Sequence, residues 1–131
     1  MYLTQWIRLK EPEGCRAYPM AGVIDGASFN TGKLQRFGYV TLTADTDNML
    51  CRKGEQIRAH EFHYWDSDNT GNGFTARKLS GKSWQCVHTS DCLYAGYPHF
   101  HFYAQPSFAV KFLEACRNYA AGSDKDNDRE G

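Results

Sequence analysis

The sequence predicts one mixed domain, a set of short β-strands followed by a single closing α-helix. Three observations carry this expectation. Short runs rich in Val, Ile, Thr and aromatic residues recur between clusters of Gly, Pro, Asn and Asp, which is the signature of strands separated by turns. From Pro106 onward the spacing changes: Phe108, Val110, Phe112, Leu113 and Cys116 recur as on one face of a helix. Strands also outnumber helices, and the chain ends strand-then-helix, an α+β pattern when read from the residues alone.

The elements follow in order. Tyr2, Leu3, Trp6 and Ile7 share one helical face, so residues 1–9 read as the tail of a helix with no capping residue before it, ended by Glu11-Pro12-Glu13-Gly14. Tyr18 to Ile24 reads as a short buried strand. Phe37 to Thr43 alternates as a strand should, and Asp45 to Asn48 forms the next turn. A longer strand runs from about Gln56 to Trp65, and Asp66 to Gly73 is a polar loop. Short strands are expected at Phe74–Lys78, Trp84–His88 and Cys92–Tyr94, with another through His99. Pro106 suits the first turn of a helix, where its missing N–H costs nothing. The helix should run to about Ala120 and stop at Gly122, leaving 123–131 as a disordered polar tail.

Bulk composition excludes several function classes. The chain has 131 residues, 41% of them hydrophobic, enough for one packed core. Lys and Arg total 15 against 15 Asp and Glu, so no basic stripe is available for phosphates and nucleic-acid binding is not expected. No apolar run is long enough for a membrane helix or a secretory signal. Cys15, Cys51, Cys86, Cys92 and Cys116 are odd in number and never spaced C-x-x-C, which argues against a zinc ribbon or thioredoxin-type motif. They suggest a reducing cytoplasm in which most of the thiols act as small buried hydrophobes.

Four of the five histidines lie in two clusters, Arg58-Ala-His60-Glu61-Phe-His63-Tyr64-Trp65 and Tyr97-Pro-His99-Phe-His101-Phe102. Because a strand alternates its side chains, His99 and His101 should share one face, with Phe100 and Phe102 directed into a core. Glu61 and His63 should likewise share a face opposite His60, Phe62 and Tyr64. Imidazoles beside a carboxylate and aromatic rings are groups whose pKa values burial can bring toward neutrality. Glu61, His63 and His101 are accessory candidates, and His88 stands apart. His60-Glu-Phe-His63 lacks the His-Glu-x-x-His spacing of a zinc helix, and Gly71-Asn-Gly73 lacks the Lys-Ser/Thr of a phosphate loop.

These segments carry a resemblance. Arg58-Ala-His-Glu-Phe-His-Tyr64 is similar to the Arg-Gly-His-Glu-Phe-His-Tyr strand of cobyrinate a,c-diamide synthases. Tyr97-Pro-His-Phe-His-Phe102, with Pro106 and the helix after it, resembles that family's Tyr-Leu-His-Leu-His-Phe segment. Tyr18-Pro-Met-Ala-Gly-Val-Ile24 and Leu34-Gln-Arg-Phe-Gly-Tyr39 match in type and order, so the likeness spans roughly residues 1–120. It implies an α/β fold of the class I glutamine amidotransferase type. The chain would be the C-terminal portion, a mixed β-sheet region with a closing helix, with residues 1–122 in the glutaminase domain.

The activity so implied is a ligase of cobalamin biosynthesis that amidates the a- and c-carboxylates of cobyrinic acid, a corrinoid, with glutamine as ammonia source. ATP and Mg²⁺ would belong to an upstream amidating domain, and no cofactor or metal is expected on this segment. A cysteine thiolate attacks the glutamine amide and a histidine raises its nucleophilicity; by motif position that catalytic histidine is His99. In the family the cysteine lies in a Cys-Gly-Gly turn just before a Met-Tyr-Leu stretch. This sequence starts at Met1-Tyr2-Leu3, so the expectation is a truncated piece without its nucleophile, inactive alone. Ala59 and Pro98 depart from the family's glycine and leucine. Two other readings stand beside this one: a small cupin-like metal-binding β protein using His99 and His101, and a non-catalytic interaction module.

Overall fold

The computed structural model describes residues 1–127, with side chains as far as Gly122. Among these residues eleven strands and one α-helix occur: β1 (Thr4–Glu11), β2 (Gly14–Pro19), β3 (Ile24–Asn30), β4 (Arg36–Ala44), β5 (Gln56–His63), β6 (Trp65–Ser67), β7 (Phe74–Arg77), β8 (Ser83–Cys86), β9 (His88–Thr89), β10 (Tyr94–Ala95), β11 (His99–Phe100) and α1 (Pro106–Asn127). The fold is α/β, built mostly of mixed and antiparallel sheets with one C-terminal helix.

The N-terminal segment corrects the sequence reading: residues 1–9 lead into strand β1, not a helix. Nine residues are too few for a helix to persist on propensity alone. β1 instead satisfies its backbone on both edges, pairing antiparallel with β2 through the two-residue turn Pro12-Glu13 and parallel with β3. With β6 paired antiparallel to β3, this gives a four-stranded mixed sheet in the order β2-β1-β3-β6.

The second sheet has five antiparallel strands in the order β11-β5-β4-β7-β8. Strand alternation sorts its residues cleanly. Val40, Leu42, Ala44, Ile57, Ala59, Phe74, Ala76 and Cys86 form the buried face, joined by Leu50, Cys51, Val87 and, from α1, Phe108. Phe100 packs on this core edge-on to Phe108, at a ring-centroid distance of 6.0 Å. The other face is open: Phe37, Tyr39, Phe62 and Tyr64 lie on it, and Tyr39 is 81% exposed.

Val87 divides the expected Trp84–His88 strand into β8 and β9. Its backbone is left-handed (φ 68°) while its side chain is fully buried, a conformation a β-branched residue adopts only when its surroundings impose it. The Gly73 N–H donates to the Val87 carbonyl at 2.8 Å. Gly71, itself at φ +80°, passes so close that a Cβ there would lie 2.4 Å from the Val87 carbonyl carbon.

The helix also departs from expectation. It continues through Gly122 to Asn127, so the expected tail begins inside it, and residues 128–131 lie outside the described residues. Of its apolar positions only Phe108 is buried; Val110, Phe112 and Leu113 are exposed. The helix is fastened at its start by Phe108 and by the Lys111–Glu55 ion pair at 2.7 Å, which ties it to the turn before β5. Phe102, expected in the core, is 39% exposed and faces Phe112. No helix among the described residues is long and apolar enough to cross a membrane.

Candidate functional site

The five-stranded sheet splits the first histidine cluster between its two faces, with His60 on the same face as His99 and His63 on the other. β5 and β11 run antiparallel with His60 opposite His99 and Ala59 opposite Phe100. Ala59 and Phe100 point to the core, so His60 and His99 point to the open face. There the His60 ring meets Tyr39 edge-on at 5.2 Å and Phe37 at 5.7 Å. His99 is exposed, its imidazole on the open side of the sheet. His101 lies just past the end of β11, and its Nδ1 accepts the Tyr103 N–H at 3.3 Å, capping a turn of 3-10 helix.

Glu61 and His63 lie on the buried face, 1% and 8% exposed. The Trp84 indole N–H donates to Glu61 Oε1 at 3.3 Å, and the Arg36 guanidinium lies over the Trp84 ring at 4.8 Å. His63 Nδ1 is 2.6 Å from the Trp65 carbonyl oxygen. A carbonyl only accepts, so Nδ1 carries the proton. His63 Nε2 is then 3.7 Å from Glu61 Oε2, and neither atom has another partner. A second proton on the imidazole places N–H against carboxylate there, where the neutral ring would set lone pair against lone pair.

Burial by itself lowers the His63 pKa, but Glu61 and the Trp65 carbonyl outweigh it and hold the imidazole above its ordinary value. The ring also stacks on Tyr97, with centroids 4.1 Å apart and planes within 13°. Tyr97 is two residues before His99, so the buried pair touches the chain that leads into β11 without touching His99 itself.

Tyr97 also borders a cavity of about 370 Å³ lined from the four-stranded sheet and from β9 and β10, by Leu3, Ile24, Ser28, His88 and Tyr94 among others. His88 is held there by a 3.1 Å contact between Nε2 and the Asn69 carbonyl. Among the described residues no group of three or more His, Cys, Asp or Glu side chains gathers to hold a metal ion. The thiols correct the expectation that most are buried: Cys51 and Cys86 are, whereas Cys15, Cys92 and Cys116 are exposed. Burial, followed by the nearby Glu61 charge, pushes the Cys86 thiol up to about 12, leaving it protonated and inert.

Sequence reasoning singled out Glu61, His63, His99 and His101 but missed Tyr97, Trp84 and Arg36 as partners. Tyr97 carried no signal, because its stack on His63 is a contact between residues far apart in the chain. Trp84 and Arg36 carried none, because their meeting depends on how β4, β7 and β8 align.

The chain is an α/β protein with a histidine on an edge strand of its sheet and a buried His–Glu pair. Over most of its length the chain is homologous to proteins named cobyrinate a,c-diamide synthase. It is 38% identical over 124 residues to that of Caldanaerobacter subterraneus subsp. tengcongensis, covering 91% of this chain and 26% of the relative. It is 34% identical over 119 residues to that of Fusobacterium nucleatum subsp. nucleatum (87% and 24%) and 32% identical over 110 residues to that of Listeria innocua (80% and 24%). The chain thus spans about a quarter of the length of the curated relatives it matches. No family model matches the chain.

Proposed function

We propose that this chain forms part of a glutamine- and ATP-dependent ligase of cobalamin biosynthesis, working in the cytoplasm on the carboxylates of a cobyrinic-acid-like corrinoid. The observation that carries the reading is its similarity, 38% over 91% of the chain, to a protein named cobyrinate a,c-diamide synthase. Within such an enzyme the segment belongs to a class I-like glutaminase domain, and His99 is its base. An exposed imidazole on an open sheet face is accessible to a nucleophile brought from elsewhere in the enzyme.

In this reading His99 takes the proton of a cysteine thiol, and the thiolate attacks the side-chain amide carbon of glutamine. The C–N bond breaks, and the imidazolium returns the proton to the departing ammonia. Water, deprotonated by the same imidazole, then cleaves the thioester to glutamate. The nucleophilic cysteine is, in this reading, supplied from outside this segment. Alone, the chain is expected to be inactive.

In this reading ATP and Mg²⁺ act in an upstream amidating domain. The open aromatic face suits contact with the amidating domain.

The test is complementation in trans. The Caldanaerobacter synthase, shortened to lack the region matching this chain, is combined with this protein and glutamine. Release of glutamate that needs both proteins and disappears in His99→Ala is the expected result. Glutamate release undiminished in His99→Ala removes His99 from the chemistry.

A further inference from the structure

We infer that His63 is a positioning residue for His99: held by Glu61 and the Trp65 carbonyl, its ring clamps Tyr97 and so pins the start of β11 to the sheet. That His99 is the residue of consequence rests on the proposed glutaminase reading; the clamp itself does not.

β11 needs such a clamp. It has only two residues and two cross-strand pairs, His99 with His60 and Phe100 with Ala59. Two pairs at a sheet edge fix register poorly by themselves. On one side Phe100 is anchored among Tyr94 and Phe108. On the other the anchor is Tyr97, stacked on His63 at 4.1 Å with Pro98 buried beside it. Pro98 has no N–H for the ladder, so the approach to His99 depends on side chains.

His63 suits the task because its own position is over-determined. Nδ1 is fixed by the Trp65 carbonyl at 2.6 Å, and Nε2 faces Glu61, which Trp84 holds in turn. Other titratable or charged groups near the clamp are Arg36 on β4, Cys86 on β8 and Asp66 on β6. A polar pair is otherwise an expensive filling for the buried face of a sheet. The stack converts that rigidity into a fixed path for the residues leading to His99, much as a second layer of contacts orients a catalytic imidazole.

Nuclear Overhauser contacts between His60 and His99 in the whole 131-residue protein read the position directly. They are expected in the wild type, lost in Tyr97→Leu and regained in Tyr97→Phe, which keeps the ring, while contacts between Val40 and Ala59 in the sheet interior persist. Should Tyr97→Leu not fold, His63→Gln serves, since it retains hydrogen-bonding capacity but has no ring to stack. His60–His99 contacts that persist in a folded variant without the stack overturn the clamp. In the trans-complementation assay Tyr97→Leu should lower kcat about tenfold or more with KM little changed, because small misplacements of a reacting group are costly. Activity lost in His99→Ala but untouched in Tyr97→Leu refutes positioning and leaves the glutaminase reading standing. Absent activity throughout refutes that reading, while the Overhauser contacts still decide the clamp.

Discussion

His60 and His99 stand opposite each other across the β5–β11 pair, on the open face of a sheet whose other face buries Glu61 and His63. An odd offset of three residues along β5 thus puts His60 and His63 on opposite faces, in unlike surroundings. On the open face His99 is exposed and available to other molecules, while His60 is half-buried against Phe37 and Tyr39. The buried pair is committed to the fold, and its charge state is part of the protein's stability.

That commitment sets a pH dependence. The His63 pKa is raised in the folded protein, against burial, by Glu61 and the Trp65 carbonyl. In the unfolded chain it titrates near its ordinary value of about 6.5. The folded state therefore binds this proton more tightly, and the stabilisation is complete below about 6.5 and lost as pH rises through the raised folded value. Urea midpoints are expected to fall more steeply between neutral and mildly alkaline pH in the wild type than in His63→Gln. Parallel pH profiles for the two proteins would count against a raised folded pKa.

The approach of Gly71 to Val87 gives a paired test. Gly71→Ala meets both a left-handed backbone (φ +80°) and a Cβ position 2.4 Å from the Val87 carbonyl carbon. Gly32→Ala meets only the backbone term, with φ +71° and nothing within 4 Å. Chemical denaturation should show a loss of about 1 kcal/mol for Gly32→Ala and about 3 kcal/mol or more for Gly71→Ala. Equal losses would mean that the polar loop before β7 does not press on the Val87 bend.

Much of this was readable in the sequence, for physical reasons that differ by element. β4, β5 and β7 were legible because turn residues bound them and period-two alternation runs through them. The start of α1 was legible from Pro106, a local signal. The N-terminal strand was not: Tyr2, Leu3, Trp6 and Ile7 fit a helical stripe, and only pairing with β2 and β3, a non-local event, decides otherwise. Alternation along β5 showed that Glu61 and His63 share a face but not that this face is the inside. The aromatic residues on the other face made that outcome still harder to foresee.

Among the apolar side chains of α1, one carries the burial. Phe108 is fully buried, whereas Leu113 on the same helix is 54% exposed. Phe108→Ala should cost about 3–5 kcal/mol in unfolding free energy, the usual price of emptying a packed aromatic site. Leu113→Ala should stay within about 0.5 kcal/mol. Comparable losses at the two positions would show that α1 buries far more of its length than its first turn.

The thiols give the most direct check on burial. Cys15 on β2, Cys92 before β10 and Cys116 on α1 are exposed, while Cys51 and Cys86 lie inside the core. Thiolate, not thiol, reacts with disulfide reagents, and Cys86, pushed up to about 12, holds almost none at neutral pH even before access is considered. Burial, countered in part by a hydrogen bond with Asn48, raises Cys51 as well. A colorimetric disulfide reagent added to the native protein should therefore release three equivalents quickly, with two more appearing only at the rate of unfolding or on addition of denaturant. Because Cys86 shares the buried face with Glu61, its slow phase also reports on the clamp's neighbourhood. His63→Gln should speed the Cys86 reaction while leaving Cys15 unchanged. Five fast equivalents in the native protein would mean that the face carrying Glu61 and His63 is open to solvent, and both the pH dependence and the clamp would fall with it.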